Sequence, residues 1–168
     1  MRKKIPIRLT EDGVNKAIKE VKEYKKWLKK KAKELVKILC KEGEDYAINA
    51  VGHIDTGETV QSIQATRNGN KGVIVAGGNA IWLEFGTGVA RNGVVGSSPH
   101  PIGDQIGYTI GTYGQGKGAD PDGWWYFDPA SNELKHTYGI EANMFLYRTA
   151  QELKRIAPER AKEVFKLD

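Results

Sequence analysis

The apolar pattern over residues 12–43 constrains the fold of this chain more than any other feature. Apolar side chains recur there at steps of three, four or seven residues, the spacing that places them on one face of an α-helix. The main positions are Val14, Ile18, Val21, Leu28, Leu35 and Leu39. Thr10 or Asp12 can be the N-cap, and Gly43 is expected to end or kink the helix, with residues 44–51 adding two further turns. The sequence therefore predicts an amphipathic helix of about 30 residues, roughly 45 Å long.

Lysines occupy the rest of this helix surface. Residues 19–41 hold ten lysines and three glutamates, a net charge of +7, whereas the whole chain has a net charge of +5. The candidate electrostatic surface consists of Lys22, Lys26, Lys29, Lys30, Lys33 and Lys37. Three interpretations are open: a solvated helix face, a surface for an acidic protein, or a contact with a nucleic-acid backbone. In the last case about six phosphate contacts would make log K fall against log salt with a slope near −5.

Trp27 lies among these lysines and not on the apolar stripe. An exposed tryptophan in such a position is typical of a contact with a partner or with another subunit. The sequence therefore predicts that Trp27 belongs to an interface.

Length and cysteine content narrow the class of protein. A chain of 168 residues is expected to form a single domain over residues 1–168. Cys40 is the one cysteine, so we expect no internal disulfide, a reducing site of synthesis and a small apolar role for this residue. The N-terminal residues lack the apolar core of a signal peptide, and no stretch approaches the ~20 apolar residues of a membrane span. Synthesis in the cytoplasm and no membrane partner are therefore expected.

The segment after the long helix changes to a strand pattern. Residues 59–67 alternate between apolar and polar side chains, "NGN" at 68–70 is a turn signal, and residues 71–77 form an apolar run. Asn-Gly between two such runs is a strong signal for a β-hairpin. Residues 80–85, "AIWLEF", then predict either a buried strand or a short turn of helix.

Residues 86–139 form a long loop or insert in this interpretation. Twelve of the twenty glycines lie in these 54 residues, and loops of this length are usually functional or mobile. Inside the segment, "GWWYFD" and "NELKHTYG" flank "PAS" and predict a second hairpin. Its adjacent aromatic residues are candidates for a partner or oligomer interface: Trp124, Trp125 and Tyr126.

The end of the chain is again helical. Residues 143–157 predict a helix. Pro158 either ends this helix or starts a last short helix through Phe165. The elements together predict an α+β fold, in which the long N-terminal helix and the C-terminal helix pack on an antiparallel sheet of four to five strands. The stripe of the helix over 12–42 should form the helix side of the core, together with Phe145, Leu146 and Leu153.

Asp55-Thr56-Gly57 is the signature tripeptide of aspartic proteases. That chemistry requires two carboxylates about 3 Å apart. The chain has one copy, so a homodimer would have to supply the second. A tight turn is the better interpretation, because Asp55 can accept backbone N–H bonds and Gly57 can adopt a positive φ.

Other enzyme signatures are incomplete. His53, His100 and His136 lack the spacing of metal ligands, which leaves exposed loop histidines as the default. The glycine-rich residues 113–123 lack the order of a phosphate-binding loop, and Ser97 and Ser98 lack a nucleophile elbow. We therefore expect no catalytic residue, no metal and no cofactor, and the protein is not expected to be an enzyme.

Three segments taken together resemble the head–tail joining proteins of long-tailed bacteriophages, the neck or tail-completion family of minor structural proteins. They are "HIDTGETVQSI" at 53–63, "AIWLEFGTG" at 80–88 and "GIEANMFLYRTAQEL" at 139–153. The resemblance covers most of the chain apart from residues 89–122, and its ordered set of motifs is more specific than any one of them. One departure is His53-Ile54, where the family commonly has proline before an apolar residue.

The resemblance implies a non-enzymatic subunit of the virion that is assembled in the bacterial host cytoplasm, of phage or prophage origin. It would form a homo-oligomeric ring, a hexamer in the assembled particle, and bind connector and tail proteins, with non-specific DNA contact allowed. It also implies that Glu84 accepts hydrogen bonds from the turn Gly86-Thr87-Gly88, as Asp55 does in the turn Asp55-Thr56-Gly57. Glu84→Ala would then lower stability by roughly 1–3 kcal/mol.

Two rival functions stay open at this stage. The chain could be a basic nucleic-acid-binding protein that uses the helix over 19–41, or a small hydrolase that uses Asp55 or Glu84. Salt-dependent DNA binding by a monomer would favour the first rival. Activity lost on substituting both carboxylates would favour the second.

Overall fold

A computed structural model describes residues 4–52, 57–87, 98–103, 105 and 120–166 of the chain. These residues form helices and short strands, which makes the fold α+β as predicted. The helices are α1 (Glu11–Val51), α2 (Glu58–Ser62), α3 (Ala80–Phe85) and α4 (Phe145–Val164). The strands are β1 (Gln64–Asn68), β2 (Lys71–Val75), β3 (Trp124–Asp128) and β4 (Glu133–Thr137).

The predicted long helix exists and is longer than its apolar pattern suggested. α1 spans 41 residues, and the Thr10 hydroxyl accepts a hydrogen bond from the Gly13 N–H at 3.2 Å at its start. Gly43 does not end the helix. A Cβ at Gly43 would lie 2.4 Å from the Ile74 side chain and 2.9 Å from that of Leu153, so this glycine allows close packing of neighbouring elements.

The strands pair in two separate sheets, and the predicted single sheet of four to five strands is not confirmed. Within the described residues, β1 pairs only with β2, and β3 only with β4, both antiparallel. Both predicted hairpins are present, the first with Gly69 at φ +62° in its turn. Residues 59–62, predicted as strand, are helical in α2 because Gly57 at φ +94° starts a new helical turn there.

The β3–β4 register separates the residues of the second hairpin onto two faces. Trp125 lies opposite His136, and Phe127 lies opposite Leu134. Side chains alternate between faces along a strand, so Trp124 and Tyr126 share the opposite face with Lys135. The three consecutive aromatic residues of the predicted interface therefore do not present a single surface.

α4 continues through Pro158 as one helix, so the prediction of a break there is wrong. A proline inside a helix removes one backbone hydrogen bond, and other contacts must hold the helix together. The residues beyond Pro158 have such contacts: Val164 is buried, and the Arg160 guanidinium lies 2.8 Å from the Glu42 carboxylate.

The chain divides into two compact units. Unit 1 contains Met1–Asp45, Gln64–Ile74 and Gln151–Asp168, and unit 2 contains Tyr46–Ile63 and Val75–Ala150. Unit 1 buries Ala17, Cys40 and Val164. Unit 2 buries the larger apolar set: Ala47, Val51, Ile63, Ala80, Leu83, Phe85 and Phe145.

The predicted core is partly wrong in α1. Phe145 is fully buried, and Leu146 and Leu153 are half-buried. The first half of the α1 stripe is instead exposed to solvent, with these exposed fractions: Val14 41%, Ile18 47%, Val21 52% and Leu28 36%. Periodicity identified the apolar face correctly, but it carries no information on whether another element covers that face.

Candidate functional site

Glu84 lies in the last turn of α3, inside the apolar run that the sequence places at residues 80–85. The run is helical, and its buried side consists of Ala80, Leu83, Glu84 and Phe85, whereas Ile81 and Trp82 are exposed. Glu84 is 5% exposed. A carboxylate buried to this extent needs hydrogen-bond donors, because an unpaired buried charge is strongly unfavourable.

The Glu84 carboxylate accepts three hydrogen bonds. Oε1 accepts the Tyr147 N–H at 2.8 Å and lies 2.8 Å from His100 Nε2, and Oε2 accepts the Leu146 N–H at 2.8 Å. Leu146 and Tyr147 belong to the first turn of α4, whose backbone N–H groups have no partners inside the helix. Glu84 therefore caps the N-terminus of α4, where the helix dipole also favours a negative charge.

The predicted partners of Glu84 are wrong for Gly86 and Thr87. The Gly86 N–H donates to the Trp82 carbonyl at 2.8 Å, and the Thr87 N–H donates to the Ile140 carbonyl at 2.6 Å. Gly88 lies outside the described residues. The physical reason is that α3 already satisfies the Gly86 N–H as its own C-cap, whereas the start of α4 has unpaired donors.

His100 completes this cluster and is buried, contrary to the expectation of an exposed loop histidine. Its side chain is 1% exposed, and its ring lies 4.4 Å from the Phe85 ring and 5.2 Å from the Tyr147 ring, centroid to centroid. The Ile102 N–H donates to Nδ1 at 3.2 Å, which leaves the imidazole proton on Nε2, facing Glu84. Both ring nitrogens of His100 therefore have partners within unit 2.

Ser98, His100 and Glu84 invite comparison with a catalytic triad. A triad requires a hydrogen bond between the nucleophilic hydroxyl and the imidazole of the base. The Ser98 hydroxyl instead donates to the Phe85 carbonyl at 2.7 Å and accepts the main-chain N–H of His100 at 3.2 Å. In place of the bond that a triad requires, Ser98 therefore bonds to backbone groups of Phe85 and His100.

The segment before α4 is held against the end of α3 by backbone bonds. The Asn143 N–H donates to the Leu83 carbonyl at 2.7 Å, and the Ile140 N–H donates to the Thr87 hydroxyl at 2.8 Å. Gly139 has φ +93°, and a Cβ there would lie 2.1 Å from the Thr87 carbonyl oxygen. These contacts place the first turn of α4 directly over Glu84.

The first motif of the resemblance also binds backbone in unit 2. Asp55 and Thr56 lie outside the described residues, so their predicted role as turn acceptors stays a prediction. Gly57 has the positive φ that the prediction assigned to it, at +94°. The Ser62 hydroxyl, at the end of the same motif, accepts the Gly77 N–H at 2.9 Å and donates to the Thr59 carbonyl at 2.7 Å.

Trp27 is half-buried and has partners within the chain. Its ring stacks on that of Tyr24 at 5.4 Å and meets that of Phe165 edge-on at 6.0 Å. Trp27 is therefore less exposed than expected, and its place in an interface stays a prediction. Trp124 is also half-buried, whereas Trp125 is 61% and Tyr126 44% exposed.

The six lysines of the electrostatic surface are all exposed. Within the described part of the chain none of these six lysines forms an ion pair. A neighbouring lysine of α1, Lys31, pairs with Glu34 at 3.2 Å. This surface is therefore open to an acidic partner or to phosphates.

The second hairpin has an acidic turn. Asp128 accepts hydrogen bonds from Lys135, from the Ser131 hydroxyl at 2.9 Å and from the Ala130 N–H at 3.1 Å. These bonds lower the pKa of Asp128 from 3.8 to about 2, and the bond from Lys135 has the largest effect. The same contact raises the pKa of Lys135.

Other site types are not found among the described residues. No group of three histidine, cysteine or carboxylate side chains is placed to hold a metal there, and no helix in that part of the chain is long and apolar enough to cross a membrane. Sequence reasoning missed the contact between His100 and Glu84, because the two residues share no motif. The one sequence feature that pointed to such a contact was a glutamate inside an apolar run, because a buried carboxylate requires hydrogen-bond donors.

No family model, curated protein or solved structure matches this chain. The likeness to the neck proteins therefore stands on the three sequence motifs. In the structure, the described residues of these motifs up to Ala150 all lie in unit 2.

Proposed function

We propose that this protein is a structural subunit of the phage head–tail junction that acts by assembling into a ring and binding connector and tail proteins. The observation that carries the proposal is a contrast in how the chain uses its residues. Its buried polar cluster is fully occupied by internal hydrogen bonds, and several of its large apolar side chains are exposed. Such a chain is suited to binding other proteins.

The cluster around Glu84 supports a non-enzymatic role. The carboxylate has three internal donors, and His100 has a partner at each nitrogen. The side chains are 6% and 1% exposed, so a substrate has little access to either group. Catalysis would require at least one of these groups to release its partner and face a ligand.

The exposed apolar residues support assembly. Monomeric proteins rarely expose contiguous apolar patches of more than a few hundred Å². The hairpin exposes Trp125 at 61%, Phe127 at 54% and Leu134 at 67%, and α1 exposes the first half of its stripe. These surfaces fit an oligomer better than an isolated monomer.

The proposal is tested on particles from a lysate of the phage or prophage that carries the gene. Gradient-purified particles are probed with an antibody against this chain, and the gene is deleted in parallel. We expect the chain in intact particles, and separate heads and tails after deletion, with joining restored by the wild-type gene. A chain absent from particles, or normal particles after deletion, would overturn the proposal.

A second candidate function rests on the six exposed lysines of α1. A basic nucleic-acid-binding protein would bind duplex DNA as a monomer at low salt and release it steeply as salt rises. Light scattering with and without DNA across salt separates the two functions. A discrete oligomer whose mass is unchanged by DNA supports the neck assignment, and a monomer that shifts onto DNA supports the rival.

A further inference from the structure

The β3–β4 hairpin carries an apolar face that nothing described in the chain covers. Trp125, Phe127, Leu134 and His136 share this face by their register, and all four are exposed. Tyr138 follows on the same side by alternation and is 47% exposed. The face is also ordered internally, because the His136 ring lies 5.2 Å from that of Trp125 and 4.9 Å from that of Tyr138. Ordered aromatic side chains lose little further entropy on binding.

A second exposed apolar surface lies in the first half of α1. Val14, Ile18, Val21 and Leu28 form a stripe there, each at least 36% exposed. A stripe of this spacing on a helix is the surface that normally faces another element. One chain thus presents two different apolar surfaces, one on a hairpin and one on a helix.

The charges around the two surfaces have opposite sign. Residues 14–28, which carry the stripe, contain five lysines and two glutamates, a net charge of +3. Residues 120–137 have a net charge of −3, from four carboxylates and a single lysine, Lys135. The carboxylates are Asp120, Asp122, Asp128 and Glu133. Opposite charge favours a contact between helix and hairpin, whereas two α1 helices side by side would set lysines against lysines.

We propose that the apolar face of the β3–β4 hairpin of one copy docks on the α1 stripe of a second copy. This inference rests on the proposed function and adds to it the pair of surfaces that joins neighbouring subunits. Each copy offers both a hairpin and a stripe, so contacts can continue head-to-tail from copy to copy, and such contacts close into a ring when the rotation between copies allows it. The interacting set on the hairpin is Trp125, Phe127, Leu134 and Tyr138.

The size of the surfaces predicts a weak contact between two isolated copies. Aromatic side chains bury about 150–250 Å² each, so four or five half-exposed residues offer on the order of 400 Å². Stable interfaces use about 800 Å² per partner. Assembly should therefore depend on protein concentration and gain from ring closure, in which each copy makes two contacts.

Cysteine crosslinking distinguishes this mode from its alternatives. Two variants are made, Ile18→Cys in the stripe and Leu134→Cys on the hairpin face, and each is oxidised alone and mixed with the other at high concentration. Wild-type protein, which has only the buried Cys40, measures the background. We expect a crosslinked dimer in the mixture, at least ten-fold above either single variant. Tyr126→Cys, on the opposite face of the hairpin, replaces Leu134→Cys as the matched control and should remain at background.

The outcomes separate cleanly. A crosslink in Leu134→Cys alone would show hairpin-to-hairpin contact, and one in Ile18→Cys alone would show helix-to-helix contact; either overturns the proposal. Equal yields at positions 126 and 134, or no crosslink in the mixture, overturn it as well. A chain that crosslinks as expected but is absent from particles would support the interface and overturn the proposed function. A chain that is present in particles but does not crosslink would support the proposed function and overturn the interface.

The double variant Ile18→Cys with Leu134→Cys then counts the copies. A closed ring gives a ladder of crosslinked species that stops at the ring number. A crosslink within one chain would change the mobility of the monomer without producing a ladder, and that result would overturn the proposal.

Discussion

The Glu84 cluster and the first half of α1 use their side chains in opposite ways. In the cluster, a charged residue is buried and each carboxylate oxygen has an internal donor. In α1, apolar residues with the spacing of a core face lie exposed on a helix of 41 residues. The polar groups of the first region form hydrogen bonds within unit 2 and stabilise it. The second keeps its surface available for another molecule.

This contrast assigns different consequences to substitution in the two regions. Changes in the cluster should lower the stability of the chain without altering what a folded copy binds. Changes in the exposed stripe should leave stability nearly constant and alter association.

The largest expected effect is that of Glu84→Ala. This change leaves two N–H groups of α4 and the His100 N–H without their acceptor; each unsatisfied buried donor costs about 1–3 kcal/mol, and the three together about 3–5 kcal/mol. That exceeds the roughly 1–3 kcal/mol expected from a turn alone. Glu84→Gln retains one acceptor oxygen and should lose less, about 1–3 kcal/mol. Urea denaturation measures both.

Glu141→Ala is the matched control for this prediction, since Glu141 is an exposed carboxylate in unit 2. Its effect should stay within about 0.5 kcal/mol. If Glu84→Ala destabilised the protein no more than Glu141→Ala, the capping role of Glu84 would be wrong.

A smaller loss is expected for His100→Phe. Phenylalanine keeps a ring between Phe85 and Tyr147 but removes one donor to Glu84 and the acceptor of the Ile102 N–H. Loss of these bonds should cost about 1–3 kcal/mol. Combining His100→Phe with Glu84→Ala should give less than the sum of the single effects, because the two residues share a bond. Strict additivity would show that the 2.8 Å contact contributes nothing.

The residues that could be predicted from sequence are those governed by local chemistry. α1 follows from its apolar spacing, and both hairpins follow from their turn residues, Asn68-Gly69 and the stretch around Asp128. In these cases the deciding residues are neighbours in the chain. The role of Glu84 as a hydrogen-bond acceptor was implied by the resemblance, although its donors are others.

The partners of Glu84 could not be predicted, because Leu146 lies 62 residues away in the sequence. The same limitation applies to coverage of the α1 stripe, since periodicity marks a face but not its neighbour. The continuation of α4 past Pro158 depends on contacts of Arg160 and Val164 that only the folded chain creates. The separation of the strands into two sheets is likewise a long-range property.

Ile18→Ser combined with Val21→Ser should change stability by less than about 1 kcal/mol, since exposed positions have small effects. Val51→Ser in the same helix is the buried control, at 1% exposed, and should cost clearly more. Thermal melting of the three proteins tests this difference. A double serine variant as destabilised as Val51→Ser would show that the stripe is covered within the chain.

The smallest effect concerns pH at the hairpin turn. The pKa of Asp128 is lowered to about 2, chiefly by its bond from Lys135. A carboxylate with a lowered pKa stabilises the folded state above its unfolded pKa near 4, and this stabilisation is lost as pH falls toward 2. Tryptophan fluorescence of the hairpin should follow this loss in the wild type. Asp128→Asn should lack that component, and an identical pH profile for the two proteins would refute the assignment.

The most direct test of the contrast is the mass of the chain in solution across concentration, by sedimentation equilibrium, for the wild type and for Ile18→Ser with Val21→Ser. The wild type should approach a discrete multiple of its 18.6 kDa chain mass as concentration rises, and the variant should stay monomeric with an almost unchanged melting temperature. A wild type that remains monomeric up to the highest concentration, or a variant that assembles equally well, would contradict the claim that the exposed stripe joins copies of this chain.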